Sequence, residues 1–93
     1  MNKTAQTMLA AIPLLADLKP SFEHPGYIDI TVDPWHFAFG DANDDFMGDY
    51  GDSAEPYADR YGCLGVLTRD ASPEQLAEFI RKQIAIVITD DQS

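Results

Sequence analysis

Apolar and polar positions along this chain switch from a helical period to a strand period and back. Between residues 3 and 18, Met8, Ile12 and Leu15 fall at i, i+4 and i+7, with Leu9 and Leu18 close by, which predicts an amphipathic helix. Pro13 lies inside that stretch. It has no N–H to donate and crowds the preceding turn, so the helix must kink or restart there. Lys19-Pro20 ends it. From Tyr27 to Asp33 the period becomes two. Ile28, Ile30 and Val32 alternate with Asp29, Thr31 and Asp33, the pattern of a strand with one buried and one acidic face. Asp33-Pro34 marks a turn. Trp35, Phe37 and Phe39 then share one face of a second strand, which places His36 on the other face, at the surface. The two strands predict an antiparallel hairpin.

A third strand is expected over Gly62–Thr68, with Leu64 and Val66 on its buried side. The last helix carries the strongest local signal. Ser72-Pro73-Glu74-Gln75 supplies Ser at the N-cap, Pro at the first helical position and Gln at the third, a capping box. Leu76, Phe79, Ile80 and Ile84 form the apolar stripe that follows, and Arg81 and Lys82 lie towards the helix C-terminus, where the dipole favours cations. The run Ile84-Ala85-Ile86-Val87-Ile88 fits either a helix apolar all round or an edge strand. In both cases it is a candidate surface for a homodimer, with simple burial in the core as the alternative. About twenty residues separate Gly40 from Tyr61, long for a structureless connection. Phe46–Tyr50 as a further strand, Ser53–Tyr61 as a short helix, or a working loop would each account for it. The pattern predicts an α+β fold in a single domain over residues 1–93, a small antiparallel sheet of three to four strands packed by an N-terminal and a C-terminal helix.

Composition supports a folded chain. With 45% apolar and 11% aromatic residues, 93 residues are too hydrophobic for a disordered acidic tail. A domain this short buries roughly 60–65% of its unfolded surface. Charge changes the picture more. The formal net charge is −10, and residues 20–59 contain ten acids and no Lys or Arg. The remaining six acids and six bases cancel, so the excess belongs to one segment. Such a balance argues against anionic membrane surfaces and against direct nucleic-acid binding. Lys3 and the apolar run Met8–Ala16 loosely imitate a signal peptide. Pro13 and the lack of a small-x-small site before Asp17 favour the amphipathic helix instead. No stretch reaches the ~20 apolar residues that span a bilayer. Cys63 is the lone cysteine, which excludes an internal disulfide framework and points to a reducing, cytoplasmic compartment and a buried structural thiol.

Three readings fit the acidic segment. As a calcium loop, Asp41, Asn43, Asp45, Asp49 and Asp52 occupy the first, third, fifth, ninth and twelfth ligand positions of an EF-hand. Phe46 stands where that loop needs Gly, Gly48 comes two residues late, and Asp52 is shorter than the usual bidentate Glu. As a partner-binding face, Asp29, Asp33, Asp41, Asp44, Asp45, Asp49, Asp52, Glu55 and Asp59 would imitate the phosphates that basic grooves accept. Phe46, Tyr50, Tyr57 and Tyr61 would supply aromatic anchors, and the partner would be a basic nucleic-acid-binding protein met by steered association. As a solvated surface, the charge would serve solubility alone. In shortness, acidity, compact α+β pattern and lack of catalytic motifs, the chain resembles small acidic proteins of phages and mobile elements, including DNA-mimic anti-restriction and anti-CRISPR proteins. That resemblance implies an inhibitor that occludes a nucleic-acid site on a bacterial defence complex.

Enzyme chemistry finds little footing. His24 and His36 have no metal-site spacing. Neighbouring carboxylates such as Asp44 and Asp45 share one environment, whereas acid–base pairs need two. Gly62-Cys63-Leu64-Gly65 lacks the Lys and helix of a phosphate loop. The expectation is a non-enzymatic binding protein with no cofactor.

Overall fold

A computed structural model describes residues 3–23, 26–42, 45–56 and 60–92. Four strands, β1 (Tyr27–Val32), β2 (Trp35–Ala42), β3 (Asp45–Asp52) and β4 (Arg60–Leu67), form one antiparallel meander in the order β1-β2-β3-β4. One face is covered by α1 (Lys3–Ala11), the 3-10 helix Ile12–Leu18 and α2 (Pro73–Gln92). This is the α+β arrangement that the periodicity predicts.

The register explains the core. Ile28 lies opposite Phe39, Ile30 opposite Phe37 and Val32 opposite Trp35, so all six apolar side chains share the helix-facing side. Met8, Ala11 and Leu15 from the first helical stretch and Leu76, Ile80, Ile84 and Val87 from α2 close over them in one hydrophobic cluster. Each large apolar side chain fully withdrawn from water contributes about 1.5–3 kcal/mol. Phe39 lies opposite Gly48 in the next strand pair. A Cβ at Gly48 would sit 2.5 Å from Phe39 Cδ1, so the bare backbone there makes room for the ring.

The long connection between residues 40 and 61 resolves into the end of β2, all of β3 and a turn, the strand alternative among the three expected. Pro13 acts as its chemistry requires. The α-helix ends at Ala11, a 3-10 helix restarts with Pro in its first turn, and Leu15 inside it leaves helical backbone geometry. Lys19 closes it with φ 52°, its N–H donating to the Ala16 carbonyl at 3.1 Å. The Asp33-Pro34 peptide in the β1–β2 turn is cis. The capping box forms in full: Gln75 N donates to Ser72 Oγ at 3.1 Å, and Ser72 N donates to Gln75 Oε1 at 2.8 Å.

One open alternative is resolved and one expectation needs correction. The Ile84–Ile88 run is helical, the first of its two alternatives, with Ile84 and Val87 buried and Ile88 packed against the core. Ile86, 54% exposed, is the large apolar side chain it leaves outside. Val66 is 58% exposed, not buried beside Leu64. The β3–β4 register shifts between Met47 and Asp49, and this irregularity breaks the simple alternation along β4. Gly65 faces α2 there, its N–H donating to Gln83 Oε1 at 2.9 Å.

Candidate functional site: the open face of the sheet

Helices cover one side of the sheet, so strand alternation sends the odd positions of β1 and β3 and the even positions of β2 to the other side. Register lines them up in rows. Tyr27, Gly40, Met47 and Val66 lie side by side across the four strands, and Asp29, Ala38, Asp49 and Cys63 form the next row. Thr31, His36, Gly51 and Arg60 form a third.

Asp29 is not part of an exposed acidic surface. It is 8% exposed, and its Oδ1 lies 3.1 Å from Nε2 of His36, itself 4% exposed. His36, expected at the surface, is buried, and its diagonal neighbour across the hairpin is this carboxylate. The backbone of Asp29 is held as well. Its N–H donates to Ser21 O and its carbonyl accepts from Ser21 N, both at 2.8 Å, so a short segment after the first helical stretch covers the outer edge of β1. An imidazole held by a carboxylate is also the arrangement that orients a general base, and Asp29 lines a hollow of about 380 Å³ together with Ser21, Thr31 and Lys19.

The remaining acids are distributed along the sheet. Asp33, in the β1–β2 turn, is exposed, as is Glu55, in the turn after β3. Those turns meet at one end of the sheet, where Ser53 N donates to Pro34 O at 2.9 Å. Asp52 shapes the second turn, its Oδ1 accepting from Ala54 N at 2.8 Å. At the opposite end Asp41 Oδ2 accepts from Thr4 Oγ1 at 2.7 Å, which ties the sheet to α1, and Asp45 Oδ1 accepts from Arg69 N at 3.2 Å. Asp49 lies between the two ends, on the open face. Asp44 and Asp59, with Asn43, Tyr57 and His24, lie outside the described residues.

Two of the expected aromatic anchors belong elsewhere. Phe46 is 1% exposed in the core. Tyr50 faces the helices, its ring 5.7 Å from that of Trp35 and 6.2 Å from that of Phe37. Both occupy even positions of β3, and the acids at odd positions point the other way. The aromatic and apolar groups that do reach the open face are Tyr27, 52% exposed, and Val66, with Met47 between them in the row. Sequence reasoning missed these because each reads alone as an ordinary strand residue. Only register brings them together.

The calcium loop does not assemble. Asp41 and Ala42 of β2 pair with Phe46 and Asp45 of β3, and Asp45 and Asp52 end the same strand. At a strand's rise that separates them by about 23 Å, far beyond one coordination sphere. Asp41 and Asp45 also fall on opposite sides of the sheet. Among the described residues no group of three or more His, Cys, Asp or Glu side chains could hold a metal ion.

A shallow hollow of about 210 Å³ opens over the small residues Ala38 and Gly40 of β2. Tyr27 walls it on one side, Met47 and Asp49 on the other. Tyr27 rests over Gly40, where an added Cβ would meet its ring at 3.0 Å.

Electrostatics separates the two layers. On the helical side, Arg81 holds Asp17 through contacts of 2.6 and 3.0 Å, Lys3 meets Asp70 at 2.7 Å, and Lys82 meets Glu78 at 3.2 Å. The Arg81 hydrogen bond draws the Asp17 carboxyl below its ordinary range and raises the guanidinium in return. Lys3 lowers Asp70 likewise. The sheet's first three strands and their turns contain no Lys or Arg of their own.

Comparison with known protein families, with curated proteins and with solved structures found no match. Among the described residues no helix is long and apolar enough to cross a membrane.

Proposed function

We propose that this chain is a non-enzymatic binding protein whose acidic sheet occludes a basic, nucleic-acid-binding surface of a partner protein, as an inhibitor of a bacterial defence complex would. One observation carries the reading: Lys3, Arg81 and Lys82 are paired with acids of the helical layer and its flanking turn, while the segment 20–59 that builds most of the sheet has ten acids and no Lys or Arg. A one-sign field of this kind repels itself and lowers stability. A use in steering a cationic partner accounts for its retention. Among the described residues the contact set is narrower than the full list of acids. Asp33, Asp45, Asp49 and Glu55 form it, because Asp29 is buried with His36, Asp41 is tied to Thr4 and Asp52 shapes a turn.

The test is capture from bacterial lysate on the tagged protein, washed at rising salt, with retained proteins identified by mass spectrometry. The reading expects a nucleic-acid-binding protein released by moderate salt. Capture of nothing above background, or a complex indifferent to salt, overturns it.

A further inference from the structure

We propose that this chain pairs with a second copy of itself edge to edge, β4 against β4 and α2 beside α2, about a two-fold axis. The two edges of the sheet are not alike. β1 is covered by Ser21, which exchanges both backbone hydrogen bonds with Asp29. Among the described residues no strand pairs with the outer edge of β4. An open strand edge is a template for another strand, and two copies related by a two-fold axis meet there antiparallel. The helix above completes the surface. Positions 79, 82, 83 and 86 of α2 follow i, i+3, i+4 and i+7, so they share one flank. Gln83 fixes where that flank faces, its Oε1 accepting from Gly65 N of β4 at 2.9 Å, and Phe79 and Lys82 line a hollow together with Leu67. Arg81 marks the opposite flank, turned to Asp17 and the Leu14 carbonyl. Ile86 therefore stands beside the β4 edge, one turn beyond Gln83. Ile86, 54% exposed, and Val66 of β4, 58% exposed, are the two most exposed large apolar side chains among the described residues. Ile86 lies on the helical side of the edge and Val66 on the open face.

Charge selects the occupant. With a formal net charge of −10, two copies repel each other wherever their acids face. β1 carries Asp29, β2 carries Asp41, and β3 carries Asp45, Asp49 and Asp52, whereas no residue of β4 is acidic. Paired through β4, the nearest acid-bearing strands of the two copies stand three strand spacings apart, about 14 Å. That exceeds the Debye length of about 8 Å at physiological salt. Two open faces stacked on each other would lie only about 10 Å apart, with the carboxylates between them. The edge left open is thus the edge at which a second acidic chain meets least opposition. A basic partner strand would find no carboxylate along it.

The test is sedimentation equilibrium of the full chain from micromolar to millimolar concentration, at low and at high salt, with ¹⁵N spectra taken across the same dilution series. The proposal expects a dimer that tightens as salt rises, because screening removes the repulsion that remains. It expects concentration-dependent shifts centred on residues 62–67 and 79–86. Ile86→Glu and Val66→Glu, both at exposed positions, should each weaken association at least about tenfold, since a two-fold interface receives the new carboxylate twice. Leu9→Glu, on α1, should leave association unchanged. The folded state of each variant is read by circular dichroism. A monomer at every concentration, or a dimer that all three variants form equally well or all three lose, would overturn the proposal. The occluding function fails separately. It requires a complex with a different protein that weakens with salt, whereas this association strengthens with salt and needs no other protein.

Discussion

Replacing Gly48 by Ala adds a single methyl group, and the sheet has no place for it. The Cβ would sit 2.5 and 2.6 Å from Cδ1 and Cε1 of Phe39, below the 3.0 Å that real Cβ contacts essentially never cross. The ring must move by roughly 1 Å, since carbon pairs are at ease only at about 3.5–4.0 Å. It has nowhere to go. Phe39 is 1% exposed, stacked beside Phe37 at 6.4 Å and edge-on to Phe79 at 6.3 Å. Overpacking of this kind costs about 1–3 kcal/mol, partly offset by about 0.5–1 kcal/mol from restricting the unfolded chain. The net expectation is a loss of about 1–2 kcal/mol, which for a domain this small lowers the melting temperature by about 4–16 °C. Gly62→Ala is the control. It lies in β4 opposite Tyr50 with open space around its added Cβ and no positive φ. It should be neutral or stabilising. Urea denaturation of both variants decides the matter. Equal stabilities for Gly48→Ala and Gly62→Ala would refute the close approach of β3 to the Phe39 ring and the register that produces it.

Asp29→Ala should cost about 2–3 kcal/mol, because it leaves buried His36 without its carboxylate; chemical denaturation beside the exposed Asp33→Asn, expected to be nearly neutral, checks it. Ser72→Ala removes the N-cap of α2 and should cost about 1 kcal/mol, read by thermal melts. The Asp17 carboxyl is held below its ordinary range by Arg81 in the folded state, so its contribution is present above the unfolded carboxylate range and is lost as pH falls through the lowered value. The stability gap between the parent chain and Asp17→Asn should therefore be open at neutral pH and close in strong acid; a gap independent of pH would contradict the pairing. Neutralising Asp33, Asp45, Asp49 and Glu55 together to their amides should abolish partner capture while leaving the fold as stable or more so. Unfolding of that variant would assign the acids a structural role.

Local signals were legible where one residue's own chemistry decides the backbone. Ser72, Pro73 and Gln75 dictate a cap, Pro13 dictates a break, and Ile28, Ile30 and Val32 dictate a buried strand face. β3 was harder to read because its helix-facing positions run Phe46, Gly48, Tyr50, and a glycine in the apolar series is indistinguishable from a loop signal until Phe39 is seen to fill the space. The candidate site was legible in its charge and not in its layout. Alternation within β3 separates Asp45 and Asp49 from Phe46 and Tyr50, which adjacency in sequence had grouped as one surface. His36 and Asp29 are seven residues apart and meet only through the hairpin register. Tyr27, Met47 and Val66 come from three strands, and no local pattern connects them.

The most direct test of the central claim is competition. A partner captured on the protein is challenged with excess duplex DNA or structured RNA of the kind that partner binds. If the acidic sheet occupies the partner's nucleic-acid surface, the two ligands exclude each other, and nucleic acid displaces the protein in proportion to its own affinity. A ternary complex, in which the partner holds nucleic acid and this protein together with undiminished affinity for each, would contradict the account.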